Sequence, residues 1–378
     1  MYRPDPPLSV VFRVDFDGSV GYTQIVVRQK IHDDILELLR EEGTEAARKA
    51  QRGLIVQPGA IGDCILTLPL AAFMKEALSL GGIDMLGHTE YIGFLPGRSC
   101  IDAVISIDSV DMHRLFVEKE AFDLADRDPL ISTFGGYAWI ATFVGEPNSD
   151  FEHNLIYTAN CSGSSEVVTL AAKAPGDFTG HLTDFYEQQF IAQSGLPLKG
   201  REARPNDCLI KATRADTAKG RELLREAGLD PNCGGVIIQP GSGGVKKCWG
   251  LDNFLVVAGE LKSKGVETLF LLGPAELERY AKTIIEKIAG VSIYLAELSL
   301  VEVLGLLACA GAFIGNDSGI AHLAAGLGVR TFALFGPTNP SMYRPIGPAV
   351  TIFEGNPRTF AGRSSVSLQR RLIEAVLA

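Results

Sequence analysis

The chain has 378 residues, 46% of them hydrophobic and 21% charged, and carries a net charge of −10. That length suits two α/β domains, the composition excludes a disordered chain, and no apolar run reaches the roughly 20 residues a membrane helix needs. The start, Met1 to Pro7, lacks the apolar core of a signal peptide, so a cytoplasmic protein is expected. The seven cysteines (64, 100, 161, 208, 233, 248 and 309) form no C-x-x-C pair. Reduced thiols fit that pattern and a zinc site does not. Residues 51–200 hold eight Lys and Arg against 19 Asp and Glu, whereas residues 201–378 hold 20 against 17. An acidic chain without a basic run argues against nucleic acid as a partner. The asymmetry points an anionic ligand to the C-terminal half.

Residues 1–50 read as an N-terminal extension: an apolar strand at 8–14, a turn at Asp17-Gly18-Ser19, a returning strand at 24–28 and a helix through Ile31, Ile35, Leu38 and Leu39. Residues 51–200 form a first domain. Leu54-Ile55-Val56 predicts a buried strand, Pro58 to Asp63 a glycine-containing turn, and Ile65, Leu68, Ala72 and Phe73 a helix on a sheet. Further strands are expected at 83–86 and 103–107 and a helix at 181–195, while residues 130–180 show no regular pattern. Pro197, Gly200, Pro205 and Asn206 mark a linker over 196–208.

The second domain, 201–360, alternates strands at 236–239, 268–272, 291–294, 312–315 and 330–335 with helices at 252–264, 275–289, 299–309 and 318–327. An amphipathic helix closes the chain within 361–378. The expectation is therefore α/β: two Rossmann-like, doubly wound domains facing a cleft, with a hairpin-plus-helix extension. Ligands of such sheets sit beyond the strands' carboxyl ends, which directs attention to the strand-to-helix turns.

Four turns carry candidate chemistry. Asp63 opens a helix; it reads as a helix cap or as a carboxylate that takes a proton from a substrate hydroxyl. Gln239 to Trp249 places small residues and two lysines, Lys246 and Lys247, after a strand, either a solvated loop or an anion cradle. In Gly315-Asn316-Asp317-Ser318-Gly319-Ile320-Ala321-His322 a strand ends and a helix begins, so Ser318 and Gly319 offer N–H groups at the helix's positive end. Asp317 and His322 there also have purely structural readings. Phe335 to Pro340 is expected to shape the cleft wall. Two anion-friendly turns in one domain suggest a diphosphate. The chain has neither the dinucleotide G-x-G-x-x-G nor the P-loop spacing, which disfavours a nicotinamide oxidoreductase and a nucleoside triphosphatase.

As a set these residues resemble glycosyltransferase family 9, the ADP-heptose:lipopolysaccharide heptosyltransferase family. Gly62-Asp63 with Thr67 and Pro69 is similar to its G-D-x-x-x-T-x-P opening, Pro240-Gly241-Ser242 with Lys247-Cys248-Trp249 to its P-G-[ST]…K-x-W segment, and Gly315 to Ala325 with Phe335 to Pro340 to its most specific signature. The resemblance implies a GT-B fold and an inverting transferase moving a sugar, a heptose on the family pattern, from an ADP-linked donor to a glycan or glycolipid hydroxyl. Carried over, Asp63 is the general base, and Lys247 balances the leaving diphosphate. Ser242 and Gly243 belong to the donor loop, Glu276 holds the ribose, and Leu298 and Ser299 border the adenine. Asp317 faces the sugar, Ser318 and Gly319 take the diphosphate, and His322 stands close by. No metal and no cofactor is expected, since the nucleotide sugar is a substrate. Asp15-Phe16-Asp17 has the D-x-D form but reads as a turn. Peripheral contact with the inner face of a membrane is a further expectation.

Two features depart from the family pattern: the extra residues 1–50, and the acidic first domain, where residues 130–172 hold no Lys or Arg. A neutral or weakly charged, non-lipopolysaccharide acceptor would suit that charge. A non-catalytic nucleotide-sugar binder is the other alternative.

Overall fold

A computed structural model describes residues 51–200, 208–232, 234–362 and 366–378. The expected extension at 1–50, with its Asp15-Phe16-Asp17 turn, lies outside the described residues, as do Cys233 and the core of the expected linker.

The first sheet has five parallel strands: β1 (Arg52–Val56), β2 (Gly82–Gly87), β3 (Ala103–Ser106), β4 (Tyr137–Thr142) and β5 (Glu166–Thr169), in the order β3-β2-β1-β4-β5. Alternation along β1 sends Leu54 and Val56 to one face and Ile55 to the other, and both faces are covered by helices. Helices α1 (Ile61–Ala77) and α2 (Thr89–Ile92) follow β1 and β2; α3 (Pro129–Phe134), α4 (Asp150–Asn160) and α5 (Leu182–Ser194) complete the layer. The stretch without visible pattern thus contains two strands and two helices. Its strand β5 has four residues and β4 mixes aromatic with small residues, which leaves little periodic signal.

The second sheet has six parallel strands: β6 (Val236–Gln239), β7 (Thr268–Leu272), β8 (Ile293–Ala296), β9 (Ala312–Asn316), β10 (Arg330–Phe335) and β11 (Val350–Glu354). Their order is β11-β10-β9-β6-β7-β8. Its helices are α6 (Arg214–Glu226), α7 (Leu251–Ser263), α8 (Pro274–Arg279), α9 (Lys282–Val291), α10 (Leu300–Leu307), α11 (Gly319–Gly326), α12 (Pro340–Tyr343) and α13 (Val366–Leu377). Two expectations need correction. The helix expected at 275–289 is two helices broken at Tyr280, whose backbone is extended. The strand expected at 291–294 begins at Ile293, because α9 runs on to Val291. Helix α6 and strand β11 were not anticipated.

Both sheets reverse strand order beside their first strand, between β1 and β4 and between β6 and β9, and such switch points open ligand crevices at the strands' carboxyl ends. One apolar cluster runs from the inner face of the first sheet through α1 and α11 to the inner face of the second. At that contact a Cβ on Gly319 would lie 2.7 Å from Ile61 Cβ, so the N-termini of α1 and α11 approach through glycine. Arg98 and Asp216 add a bidentate ion pair at 2.7 and 2.8 Å, and Lys211 N donates to Arg98 O at 2.7 Å. His181 caps α5 and its Nε2 lies 2.9 Å from Arg344 O, a further tie between the two halves. Among the described residues no helix is long and apolar enough to cross a membrane. The six described cysteines are free.

Candidate active site

A cleft of ≈ 400 Å³ opens where the two sheets' carboxyl-end loops meet. The first half lines it with Gln57, Pro58, Gly59, Asp63, Phe143, Ala172, Lys173, Leu182 and Tyr186, and the second with Lys247, Thr338 and Tyr343. Asp63 and Lys247, the two residues expected to act in the reaction, therefore share one cavity.

Asp63 sits in the first turn of α1. The cap position itself falls on Ala60, which corrects the capping expectation; Asp63, at the third helical position, reaches back so that its Oδ2 accepts from Ala60 N at 3.1 Å, and the carboxylate remains open to the cleft. The surrounding walls desolvate it and hold its pKa above the ordinary carboxylate value; the Ala60 N–H and Lys247 oppose that shift and Asp317 adds to it. Gln57, not anticipated, braces this turn. Its Oε1 accepts from Gly59 N at 3.0 Å and its Nε2 donates to Thr67 Oγ1 at 3.0 Å, while Thr67 Oγ1 donates to Asp63 O at 2.8 Å. The Thr of the G-D-x-x-x-T-x-P pattern thus fixes the turn that presents Asp63.

Across the cleft, Lys247 Nζ donates to Asp317 Oδ2 at 2.8 Å. Ser242 Oγ donates to the Asp317 carbonyl at 2.6 Å. The loop carrying Lys247 is strapped to β9 by Asn316, whose Nδ2 donates to Pro240 O at 2.7 Å and whose Oδ1 accepts from Trp249 N at 2.8 Å. Arg279 holds the same loop from α8, donating to Ser242 O at 2.8 Å and Gly243 O at 2.9 Å. Those two contacts occupy the carbonyls of Ser242 and Gly243, and the N–H groups of such a glycine-rich turn can receive an anion.

Ser318 caps α11 and donates to Gln239 Oε1 at 2.8 Å; Gln239 Nε2 in turn donates to Glu276 Oε1 at 3.0 Å, and Glu276 Oε2 accepts from Gly273 N at 2.8 Å. This buried relay spans the carboxyl ends of β9, β6 and β7. Burial raises the Glu276 pKa, and the backbone N–H and Gln239 contacts counter it. His322 is buried one turn into α11, with Nε2 4.0 Å from Asp317 Oδ1 and Nδ1 without a partner among the described residues. Burial holds its pKa below the ordinary value, with Asp317 opposing and His181 and Lys247 assisting, so the ring is neutral at pH 7.

The structure gathers Ser242, Lys247, Glu276, Asp317, Ser318 and His322 at neighbouring strand ends. Gly243 lies exposed in the loop, and Gly319 packs on α1 while opening α11, whose N-terminus carries the helix's positive end. Leu298 and Ser299 lie beyond edge strand β8. The Ser299 hydroxyl caps α10 and donates to Glu302 Oε2 at 2.8 Å, so a ligand at that edge would meet backbone. Gln239 and Asn316 stand inside the quoted turns but were given no role, and Arg279 was not singled out, because what each does depends on partners far along the chain.

The sequence profile of glycosyltransferase family 9 (heptosyltransferase) matches residues 190–366. The chain is 30% identical over 305 residues to lipopolysaccharide heptosyltransferase 3 of Escherichia coli, covering 75% of this chain and 83% of that protein. It is 32% identical over 308 residues to lipopolysaccharide heptosyltransferase 1 of Pseudomonas aeruginosa, covering 76% and 79%. The chain belongs to glycosyltransferase family 9. It is an enzyme that transfers a sugar from a nucleotide-sugar donor. The transferase also superposes on E. coli heptosyltransferase WaaC with ADP (TM-score 0.61, 19% identity, 86% of this chain and 100% of that one). The glycosyl transferase family 9 structure from Veillonella parvula gives 0.62 at 17% identity, with 86% and 96% covered. At these identities the likeness concerns the fold, which is GT-B.

Proposed function

We propose that this transferase moves a heptose from an ADP-linked donor to a hydroxyl of a glycan or lipopolysaccharide-type acceptor, inverting the anomeric carbon. The observation that carries the reading is the opposition, in one cleft, of the Asp63 carboxylate and the Lys247–Asp317 pair. The heptose and lipopolysaccharide of this reading are those named for the two heptosyltransferase relatives, and the ADP is that of the WaaC complex.

The chemistry follows from charge. Asp63 takes the proton of the acceptor hydroxyl as that oxygen attacks the anomeric carbon. The bond from that carbon to the diphosphate oxygen breaks, and the electron pair leaves with the nucleotide. Lys247 and the N-terminus of α11 stand oriented for that growing charge, so little reorganisation is required. Desolvation of Asp63 raises its basicity and suits it to the proton transfer. Glu276 would hold the donor ribose, with Gln239 and Gly273 fixing its carboxylate.

A binding screen with ADP-, GDP-, UDP- and dTDP-sugars, followed by mass and anomeric analysis of the product, tests the proposal. ADP-heptose should bind best and yield the inverted glycoside. Preference for another nucleotide would overturn the donor assignment; retained configuration would overturn the mechanism. Binding without transfer or slow hydrolysis would make the protein a binder instead of a catalyst.

A further inference from the structure

The first half of the molecule is acidic, yet its surface charge is not what an acceptor meets. Of the eight Lys and Arg in residues 51–200, five lie within 4 Å of a carboxylate. Arg52 pairs with Asp84, Lys75 with Asp102, Arg98 with Asp216, Arg114 with Asp128 and Lys119 with Glu120. Arg127, Lys173 and Lys199 remain, and of these Lys173 alone lines the cleft. Lys173 follows β5, is exposed, and forms no ion pair with any described residue. The other cation lining the cavity, Lys247, is held by Asp317 at 2.8 Å.

The wall beside Lys173 is apolar and aromatic. Phe143 and Tyr186 meet edge to face with ring centroids 4.6 Å apart, Leu182 is buried next to them, and Tyr343 of α12 reaches in from the second half. The Tyr186 hydroxyl donates to Ala172 O at 3.0 Å, which fixes the backbone just before Lys173. A sugar ring can lay its apolar face on such a wall while its substituents point to the polar rim. Two or more clustered anions would find one unpaired ammonium and would also face the Asp63 carboxylate.

Resting on the transferase reading above, we infer that the acceptor is a glycoside carrying a single anionic group near the attacked hydroxyl, and that Lys173 recognises that group. Lys173 is thereby a specificity-determining residue, and the acceptor ring packs between Phe143 and Tyr343. The acceptor is not a densely charged core.

The test uses the full chain, the best donor from the nucleotide-sugar screen, and octyl glycosides of hexoses in three matched forms: neutral, uronic acid, and bisphosphate. For wild type, the uronic acid should show a KM about five- to tenfold below the neutral glycoside, the range expected of one partly screened charge pair. The bisphosphate should gain nothing further. In Lys173→Gln that advantage should vanish through KM, the uronic acid falling to the KM of the neutral glycoside, and Lys173→Arg should restore most of it. Tightest use of the bisphosphate, or an unchanged uronic-acid advantage in Lys173→Gln, would overturn the inference while leaving the transferase reading intact. Transfer to none of the acceptors, with no donor hydrolysis, would remove that reading and the inference with it.

Discussion

Gly241 is the position where one added methyl group should be most informative. A Cβ built there would lie 1.4 Å from Glu276 Oε1 and 2.2 Å from its Cδ, so Gly241→Ala must expel the carboxylate. Expulsion breaks the 3.0 Å bond from Gln239 and the 2.8 Å bond from Gly273 N, and leaves Gln239 with only its Ser318 contact. Hydrogen bonds to charged groups contribute about 1.5–3 kcal/mol each. Rehydration of the freed carboxylate offsets part of two such losses, leaving a net cost of about 2–4 kcal/mol. For a domain of this size that lowers Tm by about 5–12 °C. If Glu276 holds the ribose, ADP binding should weaken about 10- to 100-fold, readable by calorimetry. The decisive control is a double-mutant cycle. In a Glu276→Ala background the methyl has room, and Gly241→Ala should cost under about 1 kcal/mol. An equal cost in both backgrounds would refute the clash and, with it, the coupling of the donor loop to Glu276.

The remaining predictions concern the interface and the leaving group. Arg98 holds the Asp216 carboxyl down at about 2, below its ordinary value. A depressed folded-state pKa means the pair's stabilisation is complete above about pH 4 and drains away as pH falls toward 2. Arg98→Ala should therefore destabilise by about 2–4 kcal/mol at pH 6, with the gap to wild type closing on acidification; a gap independent of pH in thermal melts would contradict this. Lys247→Ala should lower kcat/KM about 10²–10³-fold, the scale for losing one preorganised charge-stabilising group. It should also weaken ADP binding. Steady-state kinetics equal to wild type would remove Lys247 from the site.

Legibility in the sequence followed local chemistry. The continuous apolar runs of β1, β6, β7, β9 and β10 announce buried parallel strands, and the turns after β1, β6 and β9 sit where strand periodicity gives way to helical spacing. Helix α6 gave no such signal because its buried residues are Asp216, Gly220, Leu223 and Leu224, too few apolar positions for a stripe. Strand β11 is an edge strand with a single buried residue, Phe353. In the site, Asp63, Lys247 and Ser318 were visible because motif and position coincide. Gln57 and Gln239 were not, since a glutamine after a strand becomes meaningful only when Thr67 or Glu276 is folded against it. Three of the ion pairs that consume cations of the first half, Arg52–Asp84, Lys75–Asp102 and Arg98–Asp216, also join residues far apart in the chain, so the charge count alone could not single out Lys173.

Asp63 is proposed as the base that activates the acceptor. Asp63→Asn tests it most directly, because the isosteric amide can still accept from Ala60 N and preserve the turn. Measured against pH, wild-type kcat should fall on an acid limb lying above the ordinary carboxylate range, as desolvation of Asp63 requires. The variant should lose that limb and about 10²–10⁴ in kcat, with ADP affinity within about twofold of wild type. Near-normal transfer by Asp63→Asn, with the acid limb still in place, would contradict the account.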